Sequence, residues 1–143
     1  MLAAMPARLI CALALAFLLA AAAPAGAAQD ERTEWAKARE RWAEIDARDY
    51  SFRVRISCFC PTREFVKVRV RDGKPRAAPR RLRRFDTVDE LFDRIAEQIE
   101  RGGGAQARYA ERTGVPRSFS ADPLPNAADD EYDVAVKRLR ITR

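Results

Sequence analysis

The 143-residue sequence contains no histidine. Imidazole serves enzymes as base, nucleophile and metal ligand, so its absence excludes Ser-His-Asp and Cys-His hydrolases, most zinc hydrolases and phosphoryl transfer through histidine. Both methionines and one of the three cysteines lie before residue 12. Paired carboxylates remain available for acid–base chemistry, but a domain of this size has little room for a deep cleft. We therefore expect a non-catalytic protein without a cofactor.

The N-terminal segment has the composition of a secretory signal peptide. Arg8 precedes an uninterrupted apolar run over residues 9–23, and small residues follow as far as Ala28. A retained membrane anchor is the less favoured alternative, because the run is short for a span and ends in a cleavable motif. We predict a signal peptide over residues 1–28 and a single domain over residues 29–143. The mature protein is expected to be periplasmic or extracellular, without a transmembrane segment.

Two strands are predicted in residues 50–70. Apolar residues occupy alternate positions from Tyr50 to Ile56 and again from Val66 to Val70, and polar residues, mostly arginine, lie between them. This period is typical of half-buried strands. Asp72-Gly73 follows as a strong turn signal. The pattern predicts a hairpin with one apolar face and one arginine face.

Two helices are also predicted. Residues 33–48 carry apolar side chains at spacings of three and four, with Thr33 as the N-cap and both tryptophans in the core. Thr87 and Glu90 form a capping box that begins the second helix, and glycines 102–104 end it. Between the helices, residues 76–85 contain Pro79 and are expected to be an edge strand or a loop.

The last third of the chain has three strand patterns, over residues 105–111, 117–121 and 132–141. In the third, Val134 and Val136 share one parity while Leu139 and Ile141 share the other, which predicts a β-bulge near Lys137 or Arg138. The short links favour a mainly antiparallel sheet of five to six strands with both helices on its apolar face. This is a two-layer α+β domain, in outline like cystatin-type or PepSY-type folds. The predicted core joins hairpin and second helix through Phe52, Val54, Ile56, Val68, Leu91, Phe92 and Ile95.

Basic residues concentrate in residues 50–84. This segment has twelve arginines and lysines but only two acidic residues, Glu64 and Asp72. One interpretation is a solvated sheet face. The other is a docking face for an anionic partner such as lipid head groups, lipopolysaccharide, an acidic glycan or another envelope protein. Nucleic acid is disfavoured, because aromatic residues for base stacking are missing. The predicted partner face comprises Arg53, Arg55, Lys67, Arg69, Arg71, Arg80, Arg81, Arg83 and Arg84.

Cys58 and Cys60 are the only cysteines of the predicted mature chain. They could form a disulfide, bind Cu(I) or remain as two reduced thiols. Copper would need ligands that the predicted mature chain, which has no histidine or methionine, cannot readily supply, so a disulfide is favoured in an oxidising compartment. Positions i and i+2 of a strand lie about 7 Å apart, so the chain must bend at Phe59. The acidic residues near the last strand lack the spacing of an EF-hand loop, and no metal site is predicted.

Several motifs of the chain resemble a family of bacterial envelope proteins, the domain-of-unknown-function family six-one-seven-four. The motifs are Tyr50-Ser51-Phe52, Cys58-Phe59-Cys60-Pro61, Val70-Arg71-Asp72-Gly73, residues 87–92, Gly114-x-Pro116-x-Ser118 and Asp129-Asp130-Glu131. The chain departs from the family at Ala110 and Val115, where such proteins usually carry tyrosine or Tyr-Asp, and its leader is not that of a lipoprotein. The resemblance implies a secreted envelope protein. It supplies no catalytic residue, since the family has no assigned activity.

The sequence thus predicts a secreted or periplasmic binding domain whose arginine-rich sheet face contacts an anionic or protein partner. Two alternatives remain open. One is a thiol–disulfide redox protein that uses Cys58 and Cys60, and the other is an enzyme inhibitor of the cystatin type, suggested by architecture alone.

Overall fold

The computed structural model of the chain describes residues 25–58, 64–102, 104–122 and 131–142. The elements follow the predicted order of helix, strands, helix, strands. They are α1 (Ala25–Ile45), β1 (Tyr50–Ser57), β2 (Val66–Arg71), β3 (Lys74–Arg76), a 3₁₀ helix (Arg80–Leu82), α2 (Val88–Glu100), β4 (Arg108–Tyr109), β5 (Pro116–Ala121) and β6 (Tyr132–Ile141).

The six strands form one open antiparallel sheet in the order β3-β2-β1-β6-β5-β4. The predicted α+β fold is confirmed. In the hairpin, Tyr50 lies opposite Val70 and Phe52 lies opposite Val68, so the apolar residues of both strands share a face. Both helices pack on that face. The opposite face, which carries Arg53 and the residues of its parity, is called the open face below.

One buried cluster joins the helices to the sheet. Phe92 of α2 is fully buried, and the ring of Tyr109 stacks on it with centroids 6.1 Å apart. The indole N–H of Trp35 donates to the Phe92 carbonyl at 3.0 Å, which fastens α1 to α2. Trp42 packs edge-on against Tyr50 at 5.2 Å. Six of the seven predicted core residues are buried, and the seventh, Ile56, is half-buried because it lies near the end of β1.

The start of α1 differs from the prediction. The helix begins at Ala25, so Thr33 lies inside it and is not the N-cap. Alanine, glutamine and glutamate before Thr33 are good helix formers, and they extend the helix by two turns. The Thr33 hydroxyl instead donates to the Gln29 carbonyl one turn earlier, at 2.9 Å. The helix ends at Ile45, where Asp46 takes a left-handed φ of 47°.

The edge strands are shorter than expected. For residues 76–85 the sequence predicts an edge strand or a loop, and all but the first residue follow the loop alternative. The edge strand itself is Lys74–Arg76, because Asp72 and Gly73 both adopt positive φ and turn the chain within two residues. The following segment forms the short 3₁₀ helix. At the other edge, β4 contains only Arg108–Tyr109 of the predicted residues 105–111.

The predicted β-bulge in β6 is confirmed. Ser51 lies opposite Arg140 and Arg53 lies opposite Lys137, so β6 holds one extra residue between these pairs. Arg138 takes a φ of 57°, the left-handed conformation typical of one class of bulge. The extra residue reverses the alternation of the strand, which is why Val136 and Leu139 can face the same side.

Helix α2 begins as its sequence predicts. Thr87 has an extended backbone, and its hydroxyl accepts the Glu90 backbone N–H at 3.1 Å. The Glu90 carboxylate accepts the backbone N–H of Asp86 at 3.2 Å, one residue before the partner expected in a capping box. The phenol oxygen of Tyr50 accepts the Val88 N–H at 3.0 Å. Two backbone donors of the first turn thus have side-chain acceptors.

The burial of Glu90 next to Asp86 predicts that the free energy of unfolding falls as the pH rises. Burial, with a hydrogen bond and charge repulsion from Asp86, raises the pKa of Glu90 from 4.5 to about 7. The folded state therefore binds this proton more tightly than the unfolded chain, and stability declines between about pH 4.5 and pH 7. Because the group is partly exposed, we expect a loss of about 1 kcal/mol. Urea unfolding at pH 5 and pH 8 should show a smaller difference for Glu90→Gln, and equal differences in both proteins would contradict this account.

Candidate functional site

A row of three cations crosses the centre of the open face. Arg53 on β1 lies directly opposite Lys67 of β2 on one side and Lys137 of β6 on the other. Side chains so placed have Cβ atoms about 4.5–5.5 Å apart, and like charges at this distance destabilise a sheet. Asp133, an acidic residue of β6, lies opposite Ser57, which is four residues along β1 from Arg53. The centre of the open face is therefore electropositive.

Beside this row, a cavity of about 190 Å³ opens on the same face. We call it the cationic groove. It is lined by Ser51, Arg53, Lys67, Arg138 and Arg140 together with Phe52, whose side chain is buried in the core. Within the described residues, none of its four cationic side chains makes an ion pair or a hydrogen bond. Their hydrogen-bond donors are available to a ligand.

Phe65 lies across the open face next to the groove. Its ring centroid is 3.6 Å from the Lys137 ammonium nitrogen and 4.8 Å from the Arg55 guanidinium carbon. Both cations are therefore held against the electron-rich ring faces. The Nε of Arg55 is buried with no hydrogen-bond partner among the described residues. An aromatic ring thus sits at the edge of the cationic surface.

The structure divides the nine predicted partner residues between two regions. Arg53 and Lys67 line the groove, and Arg55 and Arg69 lie near it on the open face. Arg71 is the last residue of β2, and its guanidinium pairs with the Asp49 carboxylate at 3.1 Å. The Asp72 backbone N–H, which donates to Asp49, together with Arg71 lowers the pKa of that carboxyl.

The other four predicted residues lie beside α2, away from the groove. Arg84 pairs with Glu97 of α2 at 2.5 Å. Arg81 lines a second cavity together with α2 side chains. Arg80 and Arg83 belong to the same exposed segment. Sequence proximity grouped these arginines with the hairpin, but the chain passes around to the helix layer after β3.

Three cations of the open face come from β6 and were not among the predicted residues: Lys137, Arg138 and Arg140. The sequence contained their signal, because the broken alternation that predicts the bulge also places consecutive basic residues on one face. Lys137 and Arg138 are both exposed, whereas strict alternation would turn one of them into the core. Phe65 had no comparable signal, since it lies outside the alternating pattern of β2.

Comparison with known proteins decides the family. The family model described as a family of unknown function, DUF6174, matches residues 34–141. The chain belongs to this family. A search of curated proteins and a search of solved structures each found no match. The resemblance seen in the sequence is confirmed at the level of the family. The family model names no function, so the role of the DUF6174 domain is inferred from the geometry of its site.

The second cavity of this DUF6174 chain, of about 320 Å³, lies between α2 and the ends of β1 and β6. Its lining includes Cys58, Arg81 and Arg94. Glu97 accepts hydrogen bonds from Arg94 and Arg84, so a single carboxylate compensates part of the positive charge here. Cys60 lies outside the described residues. The predicted pairing of Cys58 with Cys60 therefore stays a prediction.

The described residues contain no cluster of three or more acidic or cysteine side chains that could hold a metal ion. Asp129 and Asp130, acidic residues that precede the last strand, lie outside the described residues, so the expectation that no metal binds there stays a prediction. In the same described part of the DUF6174 chain, no helix is long and apolar enough to cross a membrane.

Proposed function

We propose that this DUF6174 protein is an exported, non-catalytic binding domain that docks its open face on an anionic lipid surface. The observation that carries the proposal is the row of Arg53, Lys67 and Lys137 beside the cationic groove. These like charges destabilise the isolated sheet, and a negatively charged surface above them would relieve the repulsion. The export rests on the predicted signal peptide.

A lipid surface suits this arrangement better than a compact soluble ligand. The cations extend over β2, β1 and β6, so they form a broad field that a planar array of head groups can meet at many points. Near an anionic membrane each arginine or lysine contributes about 1 kcal/mol. Phe65, half-buried between Lys137 and Arg55, offers the aromatic contact that interfacial segments commonly use.

Charge reversal on the open face should abolish this binding without unfolding the protein. The double variant Arg53→Glu, Arg140→Glu is expected to lose sedimentation with vesicles of phosphatidylcholine and an anionic phospholipid. Its free energy of unfolding should stay within about 1 kcal/mol of the native value, because neither arginine pairs with a described residue and charges on a solvated surface contribute little. Wild-type binding should fall between about 0.1 M and 1 M salt, as the Debye length shrinks from about 10 Å to about 3 Å.

The matched control carries the same change in charge elsewhere. Arg32 on α1 and Arg112 in the turn before β5 are both exposed, and Arg32→Glu, Arg112→Glu should retain most of the binding. Equal loss in the two double variants would mean that net charge alone governs binding. Absence of wild-type binding at low salt would refute the lipid proposal.

A redox role remains a second candidate because Cys58 and Arg81 both line the second cavity. A nearby guanidinium stabilises a thiolate and so favours thiol–disulfide exchange. Thiol counting on the denatured mature protein, followed by titration against glutathione, tests this candidate. Two free thiols would exclude a disulfide, and a bridge reduced only below about −300 mV would leave a structural role.

A further inference from the structure

We infer that the cationic groove selects one chemical group on that surface, the phosphomonoester of a lipid head group. This inference rests on the proposed function and adds a specificity to it. The groove measures about 190 Å³, room for about six water molecules at about 30 Å³ each. Pockets for whole small molecules usually occupy about 300 to 1,000 Å³. A groove this small, with four cationic residues in its lining, suits a single anionic group of a larger partner.

The bulge in β6 builds the groove. Arg138 takes a left-handed φ of 57°, a conformation that is unfavourable for a residue with a side chain. The bulge turns Arg138 onto the open face, where it meets Arg53 and Arg140. In a regular strand the same residue would face the core. Backbone strain of this kind is common where a side chain has to be aimed at a ligand.

The donors of the groove match a phosphomonoester better than other lipid anions. Its lining includes three arginines, Lys67 and Ser51, and contains no aspartate or glutamate. A phosphomonoester carries about −1.5 to −2 charges at pH 7 and offers three acceptor oxygens, so it can bind several guanidinium forks at once. A phosphodiester carries a single charge and has only two free oxygens. The four cations lie close together, and a doubly charged ligand compensates their repulsion more completely.

The test compares vesicles that contain phosphatidic acid, a phosphomonoester, with vesicles that contain phosphatidylglycerol, a phosphodiester, after matching their zeta potentials. We expect about tenfold tighter binding to phosphatidic acid, the effect of one or two additional charge-assisted hydrogen bonds. Equal binding to both lipids would overturn the inference and leave the proposed function standing. Absence of binding to either would overturn the proposed function itself.

Arg138→Gly is the discriminating variant. Glycine accepts the left-handed conformation, so the bulge and the fold should persist while the groove loses one guanidinium. The preference for phosphatidic acid should fall from about tenfold to about twofold, whereas Arg112→Gln, which removes one charge outside the groove, should keep it. A full preference in Arg138→Gly would show that the groove does not recognise the phosphomonoester. A melting temperature no lower than that of the wild type confirms that the variant is folded, since glycine relieves the strain at this position.

Discussion

Replacing Gly114 with alanine is expected to prevent stable folding. Gly114 has a φ of +73°, and a Cβ atom built there would lie 1.9 Å from the backbone carbonyl oxygen of Ala38. Ala38 is fully buried in α1, so neither the helix nor the turn before β5 can move aside without opening the core. The cost combines a left-handed alanine, about 1 kcal/mol, with overpacking, typically about 1 to 3 kcal/mol and here at the upper end or beyond. The total approaches the stability of a small domain.

Gly73→Ala is the matched control for this prediction. Gly73 has nearly the same φ, +72°, but nothing lies within 4 Å of its Cβ position. It should therefore lose only the conformational part, about 1 kcal/mol. Circular dichroism melts and urea unfolding of both variants measure the difference. Similar stabilities for the two would show that α1 does not pack on the Gly114 turn as closely as the structure indicates.

Phe92→Ala should have the second-largest effect, a loss of about 3 to 5 kcal/mol. The ring is fully buried, stacks on Tyr109 and meets the edge of Trp35 at 6.4 Å, so its removal leaves a cavity among three elements. The variant is expected to be largely unfolded or to melt far below the native protein. The measurement is equilibrium unfolding in urea, followed by tryptophan fluorescence because Trp35 reports on this contact directly.

Phe65→Ala provides the control of equal chemical change. Phe65 lies on the open face against Arg55 and Lys137, so its removal should cost only about 0.5 to 1 kcal/mol from lost cation–π contacts. If Phe92→Ala melted like Phe65→Ala, the phase of α2 on the sheet would be misassigned.

The hairpin could be predicted from sequence because its signals agree. Strict alternation from Tyr50 to Ile56 and from Val66 to Val70 sets which side chains are buried, and Asp72-Gly73 marks where β2 ends and turns into β3. The start of α1 could not be predicted in this way. Thr33 satisfies the rules for an N-cap, but the residues before it are good helix formers. The residue at which a helix begins depends on the summed helix propensity of the whole segment. A single capping residue does not outweigh that sum.

The candidate site was only half predictable, for a reason of topology. Sequence distance placed Arg80 and Arg84 with the hairpin, but short-range patterns do not show on which layer a chain continues after an edge strand. Sequence distance also separated Arg140 from Arg53, although β6 pairs with β1 at the centre of the sheet. Strand order is set by the packing of the whole domain, and it brings together the cations that sequence patterns leave apart.

Lysine acetylation on vesicles tests the central claim most directly. The chain has four lysines, of which Lys67 and Lys137 flank Arg53 on the open face, whereas Lys37 lies exposed on α1 in the helix layer. Mass spectrometry can follow the acetylation rate of each one with and without anionic vesicles at low salt. The account predicts slower acetylation of Lys67 and Lys137 on the vesicles and an unchanged rate at Lys37. Protection of Lys37, with Lys67 and Lys137 reacting as they do in solution, would contradict it.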